Sequence, residues 1–200
     1  MKKIIGVLGW IGSGKGTVGD YLVNQYDFTA MSFAGNLKDA TAAIFGWPRD
    51  LLEGDTAQSR TWREQRDDFW SLKMQRDVTP RWVLQHLGTE ILRRQFFDDI
   101  WMAALERKIS QCTGSVVITD VRFPNEVHML ADLGADFIWV RRDPEPSWAQ
   151  DAIAHPLNMT IRSDVHPSEY EWLGVRDYNV IWNNGTLTDL YDKVEKVLAS

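Results

Sequence analysis

The run Gly9-Trp10-Ile11-Gly12-Ser13-Gly14-Lys15-Gly16-Thr17 constrains this chain more than any other feature. It carries G-x-x-x-x-G-K directly after the apolar run Ile4 to Leu8, which predicts a buried strand. Directly after it come Val18, Tyr21, Leu22 and Tyr26, whose spacing predicts a helix. A strand that enters a helix through glycines gathers backbone N–H donors around one point, at the positive end of the helix dipole. Such a cradle suits phosphate oxygens, and Lys15 adds a mobile cation. Gly12, Ser13, Gly14, Lys15, Gly16 and Thr17 are therefore the candidate ATP ligands. Many loops of this kind place a hydroxyl for Mg²⁺ immediately after the lysine. Here that position is Gly16 and the hydroxyl follows at Thr17, so the loop itself is expected to give the metal no direct ligand.

The rest of the chain alternates short apolar strands with helices. Phe28 to Phe33, Val116 to Thr119, Phe137 to Val140 and Asn179 to Trp182 predict further strands. Helices are predicted from Leu37 to a stop at Gly46 and Pro48, and from Thr79-Pro80 through Leu92. Three more are expected over Ile100 to Ile109, Asn125 to Leu133 and Leu187 to Leu198. This order implies an α/β fold, a parallel sheet with helices on both faces and ligands at the carboxyl ends of the strands. Residues 1–200 are expected to form a single domain with two excursions. Residues 49–79, rich in Asp, Glu, Arg and Gln, predict a mainly helical, substrate-binding insertion; residues 145–174, with several prolines and no clear periodicity, fit a lid or substrate loop, or an inert surface excursion.

Several classes are disfavoured. A net charge of -6 argues against a protein that coats a nucleic acid polymer through a broad basic face. The apolar stretch near the start is too short for a secretory signal or a membrane span, so a cytoplasmic protein with no membrane partner is expected. A lone Cys112 reads as a passive thiol, and His86, His128, His155 and His166 show no spacing that suggests a metal or a triad. Of ten tryptophans, Trp10 and Trp101 are expected nearest to ligand.

A second group of chemically useful residues follows the third predicted strand. Val116-Val117-Ile118-Thr119-Asp120-Val121-Arg122 puts an acid at the strand end and an arginine two residues on, where the cradle should open. Asp120 could organise Mg²⁺ through water, orient the acceptor, take a proton, or merely cap the next turn. Arg122 could grip a phosphate with two parallel hydrogen bonds, or pair with Glu126 four residues later. Closing a transfer site against water calls for arginines from mobile segments. Arg142, in Arg141-Arg142-Asp143-Pro144, is the candidate at the start of the lid, while Arg66 and Arg81 are candidates among the arginines of the polar stretch and the helix after it. Lys15, Asp120, Arg122 and Arg142 make up the expected catalytic set.

With these pieces in place the chain resembles, over nearly its full length, the deoxynucleoside monophosphate kinases of tailed bacteriophages, within the P-loop nucleoside monophosphate kinases. The resemblance rests on Gly12-Ser13-Gly14-Lys15-Gly16-Thr17, Phe33-Ala34-Gly35-Asn36-Leu37-Lys38-Asp39 with Phe45-Gly46, and Leu84-Gln85-His86-Leu87-Gly88-Thr89-Glu90 followed by Asp99-Ile100-Trp101. It continues through Thr119-Asp120-Val121-Arg122-Phe123-Pro124-Asn125-Glu126, His166-Pro167-Ser168-Glu169 and Asn183-Asn184-Gly185. It implies a P-loop NTPase-type sheet and transfer from ATP, with Mg²⁺, to a deoxynucleoside monophosphate, in the host cytoplasm if the chain is phage-encoded. It also implies an acceptor pocket walled by the insertion and the L-G-T-E helix, with Trp101, Asp120, Arg122 and Glu126 facing the acceptor; Lys38, Gln85 and Thr89 are further acceptor-binding candidates. Thr17 would lie near the α-phosphate and Asn183-Asn184-Gly185, with Asn184 the candidate ligand, near the adenine, and a homodimer is common among such enzymes. Gly35-Asn36 departs from the acid and proline usual before L-K-D. The rivals are dephospho-coenzyme A kinase, which shares cradle and size but phosphorylates a ribose hydroxyl, then phosphomevalonate kinase of the animal type. A P-loop ATP-binding regulatory protein that transfers nothing is the alternative from another class.

Overall fold

The computed structural model of the protein describes residues 2–199; Met1 and Ser200, the ends of the expected 1–200 domain, lie outside the described residues. The chain forms two compact units, Met1–Ser32 with Glu106–Ser200, and Phe33–Leu105.

In the first unit β1 (Ile4–Leu8) leads through the glycine loop into α1 (Lys15–Tyr26) and β2 (Thr29–Met31). The second unit begins after β2 with α2 (Gly35–Phe45), α3 (Ala57–Glu64), α4 (Asp68–Met74), α5 (Pro80–Gln85), a π-helical stretch His86–Phe96 and the start of α6 (Ile100–Gln111). The chain then returns with β3 (Val116–Ile118), α7 (Pro124–Asp132), β4 (Asp136–Arg141), α8 (Ala149–Ala154), β5 (Asn179–Trp182) and α9 (Leu187–Ala199).

The five strands form one sheet in the order β2-β3-β1-β4-β5, and every pairing is parallel. A parallel sheet needs cover on both faces, which is why β1 is a run of five buried residues without alternation. Ile5, Val7, Val117, Ile138, Val140 and Ile181 pack with Val18 and Leu22 of α1 and Leu190 and Val194 of α9. From α7, which packs against β1, Val127 and Leu130 are fully buried. β1 lies between β3 and β4, and the chain leaves it toward β2 on one side and later crosses to β4 on the other. That reversal opens a crevice beyond the carboxyl ends of β1 and β3, where this class of sheet binds ligands. The glycine loop and the Asp120 turn are the two segments that emerge there.

The helical unit carries its own core of Trp47, Leu52, Val78 and Val83, with Phe45, Trp62, Trp70 and Trp82 against it. Local signals set its helices: Thr56 and Ser59 cap α3 reciprocally, Asp67 caps α4, and Thr79 with Pro80 starts α5. The sequence predicts one continuous helix through Leu92, but the turns widen after Gln85. Gly88 sits at that change; a side chain there would come within 2.6 Å of Leu37, and its carbonyl accepts a hydrogen bond from Trp101 Nε1 at 3.1 Å. Trp101 is thus tied to the backbone of the L-G-T-E segment.

Within residues 145–174 a short helix, α8, is followed by two 3₁₀ turns, Pro156–Ile161 and Pro167–Glu169. Its periodicity is weak because tryptophans rather than a helical stripe anchor it. Trp172, 1% exposed, meets Trp139 of β4 edge-on at 5.2 Å, and Trp148 meets Trp10 at 5.6 Å.

Candidate active site

The loop after β1 has the form that a phosphate cradle requires. Gly9 (φ 140) and Gly14 (φ 108) occupy backbone conformations that L side chains rarely adopt. A Cβ on Gly9 would come within 2.3 Å of the Val140 carbonyl, and one on Gly14 within 2.4 Å of Asn183 Nδ2. Both glycines are needed for fit as well as for turning. α1 starts immediately after Gly14 without a side-chain cap, so its first N–H groups face the loop's opening.

Lys15 folds back onto its own loop, donating from Nζ to the carbonyls of Gly9 at 2.5 Å and Trp10 at 2.9 Å. Its pKa is lowered from 10.5 to about 8, chiefly by burial and next by the nearby Arg122, with Glu169 opposing both. Phosphate bound at the loop would restore the charged form. ATP affinity is therefore expected to be flat below about pH 8 and to weaken up to about tenfold per unit above it, as binding must first recruit a proton. Calorimetry at pH 8.5 in two buffers of different ionisation enthalpy should show net proton uptake; an affinity unchanged between pH 7.5 and 9.5 would remove Lys15 from the binding site.

β1 and β3 are neighbours in register, Gly6 opposite Ile118, so the turn after β3 emerges beside the cradle. Gly19 of α1 lets the helix approach that turn: a Cβ there would meet Thr119 Cγ2 at 2.6 Å. Asp120 is half-buried at this point. Arg122 Nη1 donates to Glu169 Oε1 at 3.0 Å. Glu126, 4% exposed, meets Arg122 through the backbone: its carboxylate accepts the backbone N–H groups of Arg122 at 2.8 Å and Phe123 at 3.1 Å. It closes the first turn of α7 and fixes the arginine's backbone.

Beyond β4, Arg142, Asp143 and Pro144 line a cavity of about 280 Å³ together with Trp10, Gly12 and Ser13, which puts Arg142 beside the cradle. Asn184 hydrogen-bonds Asp143 twice, through Asp143 N–H at 2.9 Å and from its own Nδ2 at 2.6 Å. Asn183, the first residue of the Asn183-Asn184-Gly185 motif, reaches the loop itself, donating from Nδ2 to the Ser13 carbonyl at 2.8 Å. Trp10 lines this cavity with little of its surface, 3% exposed and packed among Trp139, Trp148 and Trp172. Neighbouring Arg141 is structural, bidentate to Glu145 at 2.7 and 2.6 Å and set over the Trp139 and Trp182 rings.

The remaining acceptor candidates stand on the helical unit. Lys38 pairs with Glu53 at 2.5 Å, and Arg49 bridges Glu53 and Asp39. Arg66 lies between Asp68 and Asp77 at the surface, and Arg81 pairs with Glu64 at 3.1 Å. Gln85 and Thr89 are exposed, four residues apart. Among the described residues no group of three or more His, Cys, Asp or Glu could hold a metal, and no helix is long and apolar enough to cross a membrane.

Residues 53–194 match the family described as deoxynucleotide monophosphate kinase. A putative deoxynucleotide monophosphate kinase of Acanthamoeba polyphaga mimivirus is 32% identical over 96% of this chain and 93% of its own length. The deoxynucleoside-5'-monophosphate kinase of Escherichia phage T5 is 38% identical over 46% of this chain, which corresponds to 34% of that longer protein. Among solved structures, an APS kinase of Mycobacterium tuberculosis covers 100% of this chain and 98% of its own at 12% identity and a TM-score of 0.44. A gluconokinase of Sinorhizobium meliloti covers 99% and 91% at 16% identity and 0.42, and neither likeness is tight enough to add to the strand order described above.

Proposed function

Because the chain belongs to the deoxynucleotide monophosphate kinase family and phosphorylates a deoxynucleoside monophosphate, we propose that the sheet unit carries the transfer from ATP, with Gly12 to Thr17 holding the triphosphate and Arg122 the acceptor's phosphate. The observation that carries this reading is the convergence of Lys15 and Arg122. They come from the ends of two adjacent strands, close enough for Arg122 to depress the lysine's pKa.

In this reading Lys15 leaves the carbonyls of Gly9 and Trp10 when ATP arrives and follows charge onto the γ-phosphoryl group. Mg²⁺ bound with ATP would supply charge neutralisation; the loop offers it no hydroxyl ligand at Gly16, and Asp120 would hold its hydration water or orient the acceptor phosphate. Arg142, beside the loop, covers the transferred group, and Asn184 stands toward the base of ATP. Lys38, Arg66, Arg81, Gln85, Thr89 and Trp101 are assigned to acceptor recognition on the helical unit, with Glu126 acting through the backbone of Arg122.

Arg122→Lys tests the assignment because lysine keeps the charge and loses the planar two-point grip. Binding measurements should show acceptor affinity down by about tenfold or more while ATP stays within a few fold. A mutant that loses ATP and keeps the deoxynucleotide would put the acceptor elsewhere.

A further inference from the structure

Glu169 ends a 3₁₀ turn, Pro167–Glu169, and is tied down twice. Its backbone carbonyl accepts from Trp10 Nε1 at 3.0 Å, and its carboxylate takes Arg122 Nη1 at 3.0 Å. Trp10 is itself wedged among three other tryptophans, so the main chain of Glu169 is fixed to the glycine loop by a rigid partner. The turn is closed further by His166 Nδ1, which accepts from Ser168 N–H at 3.2 Å. The Glu169 side chain is 18% exposed against 40% for that of Arg122. The less exposed, anchored partner of an ion pair sets the direction of the more exposed one, whose long side chain would otherwise sample many rotamers.

A guanidinium has five N–H donors in a fixed fork, and the Glu169 contact uses Nη1. The Nε and Nη2 edge is the one that matches a phosphate with two parallel bonds. We propose that Glu169 is a positioning residue for acceptor recognition: anchored to the loop through Trp10, it holds the Arg122 guanidinium so that its free edge meets the acceptor phosphate. The same carboxylate counters the repulsion between Arg122 and Lys15, two cations that the reaction needs side by side. The proposal rests on the assignment of Arg122 to the acceptor.

The test is a set of variants, Glu169→Gln, Glu169→Asp, Arg122→Lys and the double variant Glu169→Gln with Arg122→Lys, each assayed for KM of both substrates, kcat and melting temperature. Glu169→Gln is expected to raise the KM for the deoxynucleoside monophosphate about tenfold and to leave that for ATP within about twofold. Glu169→Asp keeps the charge but shortens the arm, so a positioning role predicts an intermediate acceptor KM and a purely electrostatic role predicts the parental value. In the double variant Glu169→Gln should add less than about twofold to the effect of Arg122→Lys, because there is no fork left to orient. If Arg122→Lys weakens the acceptor but the Glu169 effects are additive, or if Glu169→Gln raises both KM values alike, the proposal fails and the Arg122 assignment stands. If Arg122→Lys spares the acceptor, that assignment fails first.

Discussion

Lys15→Met is expected to abolish transfer without loss of the fold. Among the contacts described, the ammonium touches only carbonyls of its own loop, Gly9 and Trp10, so its charge does little for packing. In the proposed mechanism its stabilising partner is the phosphate charge that develops during transfer, and losing one such contact costs roughly 3 kcal/mol or more, over a hundredfold in turnover. Stability should move the other way. The folded pKa of Lys15, about 8, lies below its ordinary 10.5, so folding disfavours the charged form. That penalty is full below about pH 8 and disappears as pH rises toward 10.5. Methionine fills a similar volume without it. At pH 7 the mutant should melt at or above the parental temperature, and a stably folded mutant with near-normal turnover would contradict the cradle assignment.

Asp120→Asn carries the second large effect. Asparagine caps nearly as well as aspartate, so a capping role for Asp120 predicts little change in activity or stability. The cap of α7 is already supplied: Glu126 takes the N–H groups of Arg122 and Phe123. Asp120 stands two residues past the end of β3, beside the glycine loop, where a carboxylate can order metal-bound water or the acceptor. Turnover should fall by about a hundredfold or more with melting hardly altered. Stopped-flow turnover and thermal unfolding on one preparation separate the two roles. Glu126→Gln is the useful contrast, since it weakens a buried, charge-assisted cap and should lower the melting temperature as well.

These two residues were legible in the sequence because each combines an apolar strand with a polar punctuation at its carboxyl end. A strand buried on both faces reads as a continuous hydrophobic run, and β1 and β3 are such runs. Caps were legible for the same local reason: Thr79-Pro80 starts α5 and Gly46 stops α2 where side-chain chemistry demands. What stayed hidden depends on partners distant in the chain. Nothing near Trp10 says that Trp139, Trp148 and Trp172 will enclose it. Nothing near Glu169 says that it will meet Arg122, 47 residues away. The widened turns at His86–Phe96 have a helical hydrophobic pattern, and only the approach of Leu37 and Trp101 to Gly88 marks the change. Asn183 and Asn184 are adjacent and chemically alike, so no spacing rule shows that the first reaches the Ser13 carbonyl and the second Asp143.

The central claim is that the γ-phosphoryl group of ATP moves to the phosphate of a deoxynucleoside monophosphate. The direct test supplies ATP labelled in the γ-phosphoryl group, with Mg²⁺, to the purified protein and a panel of deoxynucleoside monophosphates, dephospho-coenzyme A and phosphomevalonate. The account predicts ADP and a labelled deoxynucleoside diphosphate in equal amounts, with the label in the terminal phosphate. Label on the ribose hydroxyl of dephospho-coenzyme A or on phosphomevalonate, or ADP released with inorganic phosphate and no labelled acceptor, would contradict it.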